Sequence, residues 1–131
     1  MNDKKIKKFL IETDVLIDHL THTRGKGQSY LIKLFQTGIC FTSVLNASEV
    51  YFNLYSENDL QKADHLFYAI KVLGIPARYS LELKKINTYA ANYRDALISV
   101  LANQNDLIII TLNKKNYNNL GCKVFHPSEV I

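Results

Sequence analysis

Short apolar runs alternate with amphipathic segments along the whole chain, and this alternation restricts the possible fold more than any other feature. The runs "IKKFLIET", "ICFTS", "DLIIIT" and "CKVFHP" have the apolar, β-branched and aromatic make-up of buried strands. Between them the spacing becomes helical. Val15 to Leu20 starts one helix, "SYLIKLFQTG" reads as a second closed by Gly38, and a third runs from about Val44 to Tyr55 with Val44, Ala47, Tyr51 and Leu54 as its core stripe. Leu60, Ala63, Phe67 and Ile70 keep helical spacing up to a stop at Gly74. Ile86, Ala90, Tyr93, Leu97 and Leu101 mark further helix with a break near Arg94.

Strands alternating with helices imply βαβ units and a sheet covered on both faces. The expectation is therefore a single domain over residues 1–131, a three-layer α/β/α unit with a central, mostly parallel sheet. Ligands of such sheets bind beyond the carboxyl ends of the strands. Residues with a chemical role should lie just after strands or on helix turns leaning over that edge.

With 131 residues, 47% apolar and 21% charged, the chain is long enough for one core without disulfides or structural metal. Cys40 and Cys122 stand far apart with no CxxC or Cys/His cluster, which argues against a zinc or redox site and for two buried thiols in a reducing compartment, the cytoplasm. The N-terminal lysines begin like a signal peptide, but Glu12 and Asp14 interrupt the apolar stretch; no segment approaches the roughly 18 apolar residues of a membrane helix. Neither export nor membrane insertion is expected. A net charge of +4 is compatible with a polyanionic partner and says little by itself.

The acids are more telling, because a carboxylate is costly to bury unless it is paired, hydrogen-bonded or metal-bound. Glu12 and Asp14 lie where the first strand runs out; Asp14 suits a helix N-cap, whereas Glu12 is a poor cap in a buried run. Glu49, in "TSVLNASEVYFNLY", sits in the early turns of a helix after the second strand, where side chains lean toward the helix N-terminus and hence the sheet's carboxyl edge. Asp95 opens the helical pattern of "NYRDALISVLANQ" and also suits an N-cap; its neighbour Arg94 is an ion-pair partner for it or a phosphate contact. Thr111 and Asn113, in "TLNKKNY", follow the last long strand as a polar shell or as simple turn residues.

Several carboxylates meeting at one edge repel one another unless a cation neutralises them, and an oxygen-only set favours Mg²⁺ or Mn²⁺ over zinc. His19 and His22 have helical spacing but no further zinc-site form, and "GKGQS" lacks the frame of a phosphate loop, so neither is read as a site.

As a whole the pattern resembles the PIN-domain ribonucleases, and among them the VapC-type toxins of bacterial toxin–antitoxin pairs. "FLIETDVLIDHL" is similar to the family's opening "LLDTDVLIDxL", "TSVLNASEVYFNL" to its acid-bearing helix, "YRDALISVLANQNDLIIITLNKKNY" to its "xDALIAAxAxxxxLxLVTxNxxDF" block, and "LGCKVFHP" to its "PGLKVxNP" close. The resemblance spans nearly the entire chain. It implies a metal-dependent endoribonuclease with Glu12, Asp14, Glu49 and Asp95 as Mg²⁺ or Mn²⁺ ligands, and these four with Asn113 as the catalytic set. Glu12 falls where the family has its leading Asp, Asp14 on a variable third position, and Asn113 or Asn116 on the last polar position; Asp18 matches a peripheral position. RNA, a cognate antitoxin and a second copy of the chain are the partners it implies.

Two other classes compete. The first is a non-catalytic descendant of the fold that binds RNA or protein, for which Glu12 and Asn116 would be the marks. The second, a phosphoacceptor receiver domain, needs an acceptor Asp ending a middle strand, and "ICFTS" has none.

Overall fold

The computed structural model describes residues 5–22, 25–86 and 89–131. Strand β1 (Lys8–Ile11) lies at the centre of a sheet ordered β3-β2-β1-β4-β5, where β2 is Ile39–Ser43, β3 Lys71–Leu73, β4 Ile108–Ile110 and β5 Val124–Phe125; all pairings are parallel. The helices are α1 (Thr13–Leu20), α2 (Tyr30–Thr37), α3 (Val44–Phe52), α4 (Glu57–Ala69), α5 (Tyr79–Glu82) and α6 (Tyr93–Gln104). This is the expected three-layer α/β/α arrangement.

The pleat of β1 explains the layers. Phe9 and Ile11 point into a core shared with Val15, Leu16, Leu31 and Leu34, whereas Leu10 points into the opposite core with Ile98, Leu101 and Ile109. A strand buried on both faces must be apolar at consecutive positions, which is why "FLI" and "III" read as runs and not as alternation. Gly38, after α2, lets the chain press against β1. A Cβ there would meet the Lys7 carbonyl oxygen at 2.4 Å and the Phe9 ring at 2.9 Å.

Several elements differ from the sequence expectation. The helix expected to continue to Gly74 ends at Ala69; Ile70 turns extended and Lys71–Leu73 joins the sheet as β3. Lys71 and Val72 are exposed, so this short edge strand lacks the burial pattern that would have betrayed it. Helix α3 stops at Phe52, and its enclosed residues are Asn46 and Val50, while Val44 is exposed. The capping box between Ser43 and Asn46 starts the helix directly off β2, which turns Asn46 and not Val44 inward. Ile86 falls after the α5 segment, and the break expected near Arg94 is the start of α6 at Tyr93, capped by Asn92; residues 87–88 lie outside the described residues. Helix α1 begins at Thr13, so Glu12 and not Asp14 holds the N-cap position. Part of the basic loop "THTRGKGQ", residues 23–24, also lies outside the described residues.

Both cysteines are free thiols: Cys40 is buried, which pushes its thiol up to about 12, and Cys122 is only half-buried. Among the described residues no helix is long and apolar enough to cross a membrane.

Candidate functional site

Three chain segments deliver carboxylates to one place at the carboxyl edge of the sheet. Glu12 leaves β1 with its N–H still bonded to the Ile110 carbonyl at 3.0 Å, and its side chain makes no capping bond, so it turns inward and is only 4% exposed. Glu49 projects from α3. Asp95 is in the first turn of α6, where its N–H is capped by Asn92 Oδ1 at 2.8 Å and its own Oδ2 accepts from Asn92 Nδ2 at 3.2 Å. Asn92 holds the N-cap position that one reading of the sequence gave to Asp95, because α6 begins two residues before Asp95.

The guanidinium of Arg94 stands among these acids. Nη1 donates to Glu12 Oε2 at 2.6 Å and to Asp95 Oδ1 at 2.9 Å; Nη2 donates to Glu12 Oε1 and Glu49 Oε1, both at 2.7 Å; Nε donates to Glu49 Oε2 at 3.2 Å. The planar fork of arginine suits such paired contacts with carboxylates. Arg94 is thus an ion-pair partner of Asp95, as one sequence reading had it, and equally of Glu12 and Glu49. Each of its three nitrogens donates to at least one carboxylate oxygen.

Neutral groups complete the shell. Asn46, fully buried, donates from Nδ2 to Glu12 Oε1 at 2.7 Å and to Thr13 Oγ1 at 3.0 Å, while its Oδ1 accepts from the Ser43 hydroxyl at 2.6 Å. The Thr13 hydroxyl donates to Glu49 Oε1 at 2.6 Å, and the buried Tyr117 hydroxyl donates to Glu12 Oε2. Burial alone would raise the Glu49 carboxyl, but the bonds from Arg94 and Thr13 outweigh it and hold Glu49 below its usual range. Burial would lower Arg94, yet its bonds to Glu12 and Glu49 keep it firmly cationic. The Tyr117 hydroxyl is held far above its ordinary value by burial and by the charge of Glu12.

Asp14 faces elsewhere. Its Oδ2 accepts from the Thr111 hydroxyl at 2.7 Å and from Leu112 N–H at 3.0 Å, tying α1 to the exit of β4, and Oδ1 is buried with no hydrogen-bond partner among the described residues. Burial raises its carboxyl above the usual range, against the lowering effect of the Thr111 and Leu112 bonds. Asn113 is exposed and reaches this region through its backbone N–H, which donates to Thr111 Oγ1 at 3.2 Å. Asp18 lies further along α1. His19 Nδ1 pairs with Ser29 Oγ at 2.7 Å and His22 Nε2 with the Gly27 carbonyl at 2.8 Å, so both serve the neighbouring loop.

Oxygen donors of this kind suit a hard divalent cation by chemistry, but their arrangement does not. Among the described residues no three carboxylate, histidine or cysteine side chains are disposed to hold a metal ion, because the guanidinium lies between the three carboxylates that converge. Beside it opens a groove lined by Leu45, Ser48, Phe52, Asn53 and Tyr93, with Phe52 and Tyr93 strongly exposed at its rim.

Sequence reasoning missed Asn46, Thr13 and Tyr117 as members of this network. The Ser-x-x-Asn spacing from Ser43 after a strand was a legible capping signal for Asn46. Nothing local singled out Tyr117.

A family profile, PIN domain, matches residues 9–120. No curated protein sequence matches the chain. Among solved structures, a toxin–antitoxin complex from Klebsiella pneumoniae is similar at 19% identity with a TM-score of 0.74, over 91% of this chain and 97% of that one. DNA-bound VapBC from Salmonella typhimurium is similar at 18% identity with a TM-score of 0.72, over 93% and 99%. FitAcB from Neisseria gonorrhoeae is similar at 17% identity with a TM-score of 0.69, over 92% and 98%. At such identities the likeness establishes the shared fold.

Proposed function

The chain belongs to the PIN-domain family, and from that premise we propose that it is an endoribonuclease, the toxin of a toxin–antitoxin pair, acting as a single domain over its whole length. PIN domains are in general nucleases. The observation that supports this reading most is the convergence of Glu12, Glu49 and Asp95, from three separate segments, on one guanidinium at the carboxyl edge of a parallel sheet. Isolated surface acids would have no reason to meet there, and carboxylates as buried as Glu12 and Asp95 need a cation.

In this reading Glu12, Glu49 and Asp95 form the acidic centre, Asp14 and Asn113 flank it at the exit of β4, and Mg²⁺ or Mn²⁺ is the cofactor of the active form. The exposed rings of Phe52 and Tyr93 beside the centre offer faces on which unpaired bases can stack, which favours single-stranded RNA. One of the similar structures is a toxin–antitoxin complex, and we assign this chain a cognate antitoxin partner, with a homodimer as a further assembly, in the cytoplasm.

The test is incubation of the purified protein with cellular RNA, with and without Mg²⁺ or Mn²⁺, followed by mapping of new ends. Discrete new ends that require the divalent ion are expected. Saturation of the carboxylates by Arg94 favours a second reading, a non-catalytic PIN domain that binds RNA or a protein. RNA retention without new ends would select it.

A further inference from the structure

We propose that Arg94 is a resident counter-cation of the acidic centre, standing where a divalent ion would otherwise sit, and that metal loads only when the guanidinium withdraws. The inference deepens the nuclease reading in one respect, since it takes Glu12, Glu49 and Asp95 to be a latent metal site.

Geometry supports it in three ways. First, both oxygens of Glu12 and of Glu49, and one of Asp95, accept from Arg94 at 2.6 to 3.2 Å, so the guanidinium occupies the space between the three carboxylates that a shared metal would need. Second, the residues around the guanidinium are shaped for it. Glu12 makes a two-point bond to the fork, and the buried Tyr117 hydroxyl accepts from Nη1 at 3.1 Å and donates to Glu12. Third, there is a way out. The Arg94 side chain is 22% exposed and lines the groove rimmed by Phe52 and Tyr93, whose ring faces can receive a guanidinium. Arg94 lies on the first turn of α6, so it can leave by side-chain rotation without moving the helix.

A divalent ion must therefore compete with a tethered cation. Removing that competitor exposes the carboxylate oxygens and strengthens metal binding; replacing it by lysine, which keeps the charge but lacks the fork, gives part of the gain.

The experiment measures Mn²⁺ binding by titration calorimetry and by electron paramagnetic resonance for the wild-type protein, Arg94→Met and Arg94→Lys, with folding followed by circular dichroism. Mn²⁺ affinity is expected to rise by about tenfold or more in Arg94→Met and by less in Arg94→Lys. Should Arg94→Met not fold, Arg94→Lys decides alone. Wild-type affinity equal to that of the folded variants overturns the proposal. RNA cleavage by the same proteins separates the two readings. Tighter Mn²⁺ binding without new RNA ends upholds the counter-cation role and sinks the ribonuclease assignment, whereas Mg²⁺-dependent cleavage by wild type with no gain in metal affinity does the reverse.

Discussion

Arg94 and Glu12 form a two-point ion pair across 82 residues of sequence, with Nη1 to Oε2 at 2.6 Å and Nη2 to Oε1 at 2.7 Å. It joins the start of α6 to the end of the central strand. Glu12 is nearly fully buried, so truncating it takes one acceptor from the Asn46 amide and one from the Tyr117 hydroxyl as well as from one side of the fork. Glu12→Ala is expected to lower stability by about 2–4 kcal/mol, because a broken buried pair leaves its partner uncompensated, though Glu49 and Asp95 still hold Arg94. Urea unfolding followed by circular dichroism measures it, and a loss under about 0.5 kcal/mol would mean that the pair is not formed in solution.

Asn46→Ala removes a donor to Glu12 and Thr13 and half of the α3 capping box at once. The expected cost is about 2–3 kcal/mol, the sum of a lost cap and an under-satisfied buried carboxylate. Asn46→Asp places a carboxylate against Glu12 instead and should be more damaging at pH 7 than at pH 4. Thermal melts at the two pH values check the order; equal damage at both would show that Asn46 does not face the Glu12 carboxylate.

Asp14 has a raised carboxyl because burial opposes its ionisation more than Thr111 and Leu112 favour it. The sign is as follows: a carboxyl whose folded value lies above the unfolded one stabilises the fold below the unfolded value, near 3.8, and this contribution is lost as pH rises through the folded value. Asp14→Asn keeps an oxygen acceptor without the charge, so it should gain in melting temperature relative to wild type above that range and show no gain below pH 4. A variant that is less stable at pH 7 than at pH 4, measured against wild type, would contradict this environment for Asp14.

For RNA cleavage, Asp95→Asn and Glu49→Gln are expected to abolish the reaction with the fold retained, and Glu12→Gln to weaken it more than Asp18→Asn. The first three acids touch the shared guanidinium, whereas Asp18 lies a turn further along α1. End mapping on wild type and the four variants tests the order. Full cleavage by a folded Asp95→Asn protein would remove the acidic centre from the mechanism.

Local pattern was enough to read four of the five described strands and most helices, because runs such as "FLI" and "III" can be apolar at every position only if both faces of the strand are covered. The same logic exposed Glu12, an acid too expensive to bury idly at a strand end, and pointed to Glu49 and Asp95 through where their helices begin. Such reasoning reports backbone periodicity within a few residues. It could not show β3, whose exposed edge position leaves no alternation to see, nor the inward turn of Asn46, which depends on where α3 starts. Above all it could not choose among the partners of Arg94. Locally Asp95 beside it or a phosphate were equally good, and only the parallel register that brings β1, α3 and α6 to one edge places Glu12 and Glu49 within reach of the same long, rotatable side chain. The acids were therefore legible in the sequence, while the cation that holds them was decided by tertiary structure, since its contacts span 45 and 82 residues and are set by packing, not by local preference.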